Sequence, residues 1–166
     1  MSDAVLVSLS INDEVRPVAI PIDRTLLDVL REDLRLTGAK RACEAGACGA
    51  CNVLIDGHTA RSCLTLAADL EGCAVRTIEG LAQDGVPSVV QQAFLDAGAI
   101  QCGFCMPGMI MSATELLADN PSPTIAEIRT GISGNLCRCS GYVKVIEAIA
   151  LAARRLAPSR PMAAAS

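Results

Sequence analysis

Eight of the nine cysteines fall into two quartets whose spacings differ. Cys43, Cys48, Cys51 and Cys63 stand as C-x4-C-x2-C-x11-C, the arrangement that holds a plant-type 2Fe-2S cluster. The residues between them, Ala45, Gly46, Ala47, Gly49 and Ala50, are small. Small residues let the backbone wrap closely and aim N–H groups at sulfur. Such donors matter because two ferric ions, two sulfides and four thiolates sum to about −2, and reduction adds another negative charge. Zinc is the competing reading, although three cysteines within nine residues and a distant fourth do not match the short paired reach of zinc sites.

Cys102, Cys105, Cys137 and Cys139 form the second quartet, C-x2-C-x31-C-x-C. A C-x2-C pair alone is ambiguous among zinc, a redox dithiol and an iron-sulfur site. The C-x-C pair says more, because two thiolates on so short a loop suit one iron. Both pairs precede expected helix starts, at Pro107 and near Tyr142, so two positive helix ends would face an anionic group. Zinc stays open here on spacing. Cys73 belongs to neither quartet; it reads as a small apolar residue opening a strand rather than as a redox-sensing thiol.

The rest of the composition removes other chemistries. With only Phe94, Phe104 and Tyr142 as aromatic residues and a formal charge of −4, the chain lacks the stacking platform and the basic surface of a nucleic-acid binder. One histidine, His58, excludes sites that consume two imidazoles, Rieske centres among them, and in its Asp56-Gly57 hairpin it reads as merely solvated. No nucleophile–base constellation or carboxylate pair stands out. Residues 97–114 carry no charge, yet the Gly, Pro, Gln and Cys residues among them suit a buried protein or cofactor contact rather than a membrane span. The start, Met1-Ser2-Asp3-Ala4, has no basic region leading into an apolar stretch. The chain is read as cytoplasmic and its cysteines as metal ligands.

The elements that must position these thiols come in two groups. Residues 4–11 alternate, with Val5, Val7, Leu9 and Ile11 on one face, and run through Asn12-Asp13 into a partner strand, 14–20. Pro17 confines that partner to an edge or a bulge. Thr25 caps a helix to Leu34 bearing Leu26, Leu27, Leu30 and Leu34 on one face; a hairpin at Asp56-Gly57 and a strand over 74–78 follow. After a linker over 80–87, helices are expected over 88–97, over 107–118, from the capping box Thr124/Glu127, and along the stripe Tyr142, Val145, Ile146, Ile149, Ala153 and Leu156. The order is α+β, with a small helical bundle in the second half. Residues 157–166 (APSRPMAAAS) read as a disordered tail without a function.

The runs Cys43-Glu-Ala-Gly-Ala-Cys48-Gly-Ala-Cys51, Thr77-Ile-Glu-Gly80, Gln101-Cys-Gly-Phe-Cys-Met-Pro-Gly-Met-Ile-Met111 and Gly134-Asn-Leu-Cys-Arg-Cys-Ser-Gly-Tyr142 closely resemble the iron-sulfur (small) subunit of the molybdenum hydroxylases, the xanthine dehydrogenase family. The likeness covers about residues 6–155. It implies an N-terminal β-grasp ferredoxin-like domain over 1–80 and an all-α four-helix-bundle domain over 81–158, with 159–166 as tail. Each domain would hold one 2Fe-2S cluster, on Cys43, Cys48, Cys51 and Cys63, and on Cys102, Cys105, Cys137 and Cys139.

The resemblance further implies an electron-transfer subunit that performs no substrate chemistry itself. Its partners would be a large molybdopterin subunit, carrying the cofactor as its cytosine dinucleotide, and a medium FAD subunit, in a dimer of heterotrimers. The complex would oxidise a small substrate with water; an N-heteroaromatic is preferred, and a carbon monoxide dehydrogenase small subunit or a free ferredoxin-like carrier are the alternatives. Gln101 and Cys139 would lie near the pterin. Arg138, between Cys137 and Cys139, either offsets cluster charge or forms a surface ion pair. Met106, Met109 and Met111 suit a contact surface and core filling equally. Ala42, Met106 and Asn52 depart from the family pattern at positions that are not ligands, which bears on tuning and packing.

Overall fold

The computed structural model describes residues 4–157; the expected tail over 159–166 lies outside the described residues. Strands β1 (Ala4–Ile11) and β2 (Glu14–Pro21) pair antiparallel along their whole length. Asn12 and Asp13 both take positive φ, 53° and 67°, which gives the turn the twist of the strands it joins. Val7, Leu9 and Ile11 are buried while Leu6 is 74% exposed, as the alternation requires. Pro17 faces Ser8 on the outermost strand, where its missing N–H breaks no ladder bond.

The hairpin of β3 (Asn52–Ile55) and β4 (His58–Arg61) completes a five-stranded mixed sheet with β5 (Ala74–Arg76), in the order β2-β1-β5-β3-β4. Among the described residues only the β1–β5 pair is parallel. The last strand stops two residues short of expectation, because the Thr77 N–H turns to the Asn12 side chain at 2.9 Å. Helix α1 (Leu26–Asp28), capped by the Thr25 hydroxyl, widens into a π-helical turn over Val29–Asp33. Its i→i+5 bond, Leu34 N to Val29 O at 3.0 Å, shifts the phase of the apolar row. Val29 therefore joins Leu26, Leu27 and Leu30 in the core, and Leu34 is left half-buried.

The expected linker is ordered structure: a 3-10 turn at Glu79–Leu81 and reciprocal backbone bonds between Gln83 and Val86. Helices α2 (Val89–Asp96), α3 (Met106–Asp119), α4 (Ile125–Gly131) and α5 (Val143–Leu156) follow. Ser88 with Gln91, and Thr124 with Glu127, form reciprocal capping boxes, and Pro107 occupies the first turn of α3, where no N–H is needed. The four helices close on Phe94, Met109, Ile128 and Ile149. On α5 the buried stripe is Val145, Ala148, Ile149, Ala152 and Ala153; Leu156, expected there, is 44% exposed.

A mixed sheet followed by helices makes the chain α+β. The sheet half and the helical half each have their own core, and they meet where α3 lies against β3 and β4. Glu115 of α3 accepts from the Thr59 N–H at 3.0 Å and touches His58 at 3.2 Å. The Gln91 amide of α2 donates to Ile78 O at 3.0 Å and fastens the segment after β5 to the helical half, whose core Ile78 packs against. Among the described residues no helix is long and apolar enough to cross a membrane.

Candidate iron-sulfur centres

Three of the first four thiols sit on the loop that leads into β3, and the fourth follows β4. Positive φ at Glu44, Gly46 and Gly49 (50°, 73° and 71°) coils that loop. Cys51 is fixed at the foot of β3, Cys63 in the 3-10 turn Ser62–Leu64 just past β4, and their sulfurs stand 3.3 Å apart. The buried Ser62 hydroxyl donates to Cys51 O at 2.7 Å and ties the two positions together. Cys43 and Cys48 form the outer pair; the Ala45 N–H points at the Cys43 sulfur from 3.5 Å.

The second quartet joins two loops that are 31 residues apart in sequence. Cys102 and Cys139 are exposed, with their sulfurs 3.6 Å apart. Cys105, the N-cap of α3, is buried against Cys137. The C-x-C loop is braced by residues that the sequence reading did not single out for this purpose. The Ser140 hydroxyl and N–H donate to the Cys137 sulfur at 3.1 and 3.3 Å. Tyr142, expected at a helix start and on an apolar stripe, does pack against the helical core and is also the left-handed N-cap residue of α5 (φ 67°). Its phenol oxygen accepts from the Cys137 N–H at 2.9 Å and donates to Asn135 O at 3.3 Å. The sequence clue was Ser-Gly-Tyr directly after Cys139, a small-residue turn carrying a hydroxyl on each side.

Each quartet contains one thiol driven toward the thiolate and at least one held against it, Cys139 being raised by Cys102 beside it. In the first, N–H groups of Ala45 and Cys48 and the Cys48 thiol lower Cys43 to about 6, whereas burial and then Cys51 raise Cys63 to about 11. In the second, burial opposes ionisation of Cys137, but the Ser140 donors and Cys105 bring it down to about 7; burial and then Cys137 push Cys105 up to about 12. Crowded thiols competing for negative charge are the donor set that a cationic metal core relieves. Among the described residues no three Cys, His, Asp or Glu side chains converge on one ion position; the thiols stand in pairs. Two pairs per site, with N–H and O–H donors aimed at sulfur, fit a two-iron core in which each iron takes two thiolates; because Cys139 pairs with Cys102 and Cys137 with Cys105, the two C-x-C thiols then serve different irons, not one iron as their spacing suggests.

The remaining candidates separate from these centres. Cys73 precedes β5 beside Asp56, and burial and that carboxylate raise its thiol; no quartet member adjoins it in those interactions. Met106, Met109 and Met111 are all buried, which settles them as core filling. Gln101 is exposed on the Cys102 loop, next to Ile100 and Phe104, which are 40% and 46% exposed. Arg138 is exposed and has no ion-pair partner among the described residues. His58 is not merely solvated, since it pairs with Glu115. Asn52 is buried and hydrogen-bonded between the halves.

Two family models match the chain in succession. Residues 9–77 match the family described as "2Fe-2S iron-sulfur cluster binding domain", and residues 77–150 match the "[2Fe-2S] binding domain" family. The chain is 46% identical over 153 residues to the nicotinate dehydrogenase small FeS subunit of Eubacterium barkeri, covering 92% of this chain and 98% of that one. It is 52% identical over 148 residues to the nicotine 6-hydroxylase small subunit of Paenarthrobacter nicotinovorans, covering 89% of each. Among solved structures, a chain of quinoline 2-oxidoreductase from Pseudomonas putida 86 superposes with a TM-score of 0.88 at 46% identity, over 93% of this chain and 98% of that one.

Proposed function

This chain belongs to the iron-sulfur small subunits of the molybdenum hydroxylases, the xanthine dehydrogenase family, and we propose that it relays electrons inside such a complex, from a molybdopterin-bearing large subunit to an FAD-bearing subunit. The proposed ligands are Cys43, Cys48, Cys51 and Cys63 for one 2Fe-2S cluster and Cys102, Cys105, Cys137 and Cys139 for the other. When bound, each cluster supplies a one-electron redox step without bond making.

What the chain does is hold and bias. The loop N–H groups and the Ser140 hydroxyl stabilise charge on sulfur, and burial of Cys51, Cys63 and Cys105 excludes water from one side of each site. The proposed boundaries are 1–80 for a β-grasp ferredoxin-like domain and 81–158 for a four-helix bundle. The exposed surface formed by the Gln101–Cys102 loop and by Cys139 is proposed to face the pterin, as its cytosine dinucleotide, in a cytoplasmic dimer of heterotrimers. An N-heteroaromatic substrate for the complex draws support from relatives named for nicotinate, nicotine and quinoline.

The single observation that carries the reading is the gathering of eight thiols into two quartets while Cys73 stands apart. Metal analysis of the purified complex tests it: about four irons per copy of this chain are expected, in two paramagnetic signals after reduction. Cys48→Ala should remove one signal, Cys105→Ala the other, and Cys73→Ala neither. Stoichiometric zinc, or bleaching of a signal by Cys73→Ala alone, would refute it.

A further inference from the structure

A buried polar circuit ties the two thiol-bearing loops to each other. Arg61, at the end of β4, donates through Nε to Gly46 O at 3.0 Å in the first loop and through a terminal nitrogen to Gly134 O at 2.9 Å in the second. Its other terminal nitrogen bonds to the Asn52 side-chain oxygen. The Asn52 amide donates to the Ser112 hydroxyl at 2.9 Å, that hydroxyl donates to the Asn135 side-chain oxygen at 2.8 Å, and the Asn135 amide returns to Gly49 O at 3.2 Å. Asn52, Ser112 and Asn135 are buried and come from β3, α3 and the segment just before Cys137. Alongside them the Leu136 N–H donates to Cys48 O at 2.9 Å. The backbones approach closely here: a Cβ on Gly49 would lie 2.5 Å from Gly134 O and 2.6 Å from the Asn135 amide nitrogen.

None of these four side chains is needed to close either core, and none is a thiol. A satisfied buried network is rigid and directional, whereas apolar contact alone tolerates sliding. Here every bond runs between the two loops or between residues that anchor them. We infer that Arg61, Asn52, Ser112 and Asn135 are positioning residues for transfer between the two centres, a clamp that fixes their separation and hence their coupling. The inference rests on the two-cluster reading above. The clamp makes and breaks no bond: one electron given up on the Cys102 side is taken up on the Cys43 side, and no proton moves.

The test uses the assembled complex with Ser112→Ala, which removes the hydroxyl joining the two amides. Iron per chain is counted first; a wild-type count other than about four overturns the two-cluster reading itself, separately from the clamp. With four irons retained, the magnetic splitting between the two reduced centres should shrink, since dipolar coupling falls as the inverse cube of separation. Single-turnover transfer from one centre to the other should slow severalfold. If Ser112→Ala does not accumulate, Arg61→Lys, which keeps the charge and loses the fork, is read in the same way. Unchanged splitting and unchanged transfer at full iron would overturn the clamp. So would loss of one centre in the variant, because the network would then serve assembly rather than spacing.

Discussion

Gly108 sits in the first turn of α3, where that helix crosses the first thiol loop. A Cβ there would lie far inside van der Waals contact with Gly49 O, 3.1 Å from the Gly49 carbonyl carbon and 3.3 Å from Ala50 Cα. All three obstacles are backbone, so no side chain can rotate away. Two effects of Gly108→Ala oppose each other. Alanine is favoured over glycine within a helix by up to about 1 kcal/mol, and by less this close to the N-terminus, where the backbone is only partly committed. Overpacking against an immobile neighbour costs about 1–3 kcal/mol or more. The overlap with a carbonyl oxygen places this site at the upper end, so the net expected loss is about 2 kcal/mol.

For a chain of this length that loss corresponds to a fall of about 4–8 °C in Tm. Melting of the cluster-loaded complex followed by circular dichroism, with visible absorbance recorded in parallel, reads both the fold and the loop. The absorbance of the first centre should be lost at the lower temperature, since the residue that must yield is Gly49, between Cys48 and Cys51. A rise in Tm would refute the reasoning, because it would mean that propensity decides the outcome and that α3 does not bear on the loop.

Two further outcomes follow from individual contacts. Tyr142→Phe leaves the Cys137 N–H without its acceptor and Asn135 O without a donor; a stability loss of about 1 kcal/mol and a shifted midpoint potential for the second centre alone are expected, checked by redox titration, and an unshifted potential would deny the phenol its bracing role. Burial works against ionisation of Glu115, but Thr59 and then His58 hold its carboxyl below the ordinary value of 4.5. Its contribution is therefore complete above that value and is lost as pH falls through the depressed one, so the stability of Glu115→Gln should fall less steeply on acidification below about pH 4.5; equal slopes in denaturant titrations would refute this.

The candidate ligands are legible because spacing survives without coordinates: C-x4-C-x2-C and C-x-C are local facts, and local alternation, caps and the edge proline are equally plain. What the sequence concealed depended on contact between distant segments. The π-helical turn that admits Val29 to the core has no signature in an apolar stripe whose residues suit either pitch. Tyr142 satisfies the 3.6-residue pattern of α5, which hides the φ of 67° that makes it a cap. Arg61, Asn52, Ser112 and Asn135 carry no mutual spacing at all. Each is an ordinary polar residue in its own element, and the circuit exists only because α3 is laid against β3. Glycines 49, 108 and 134 permit that approach, and a glycine in sequence announces a turn long before it announces a contact. The two halves can thus be read separately from their patterns, while the seam, where an electron would have to cross, is specified by residues whose roles are defined only by one another.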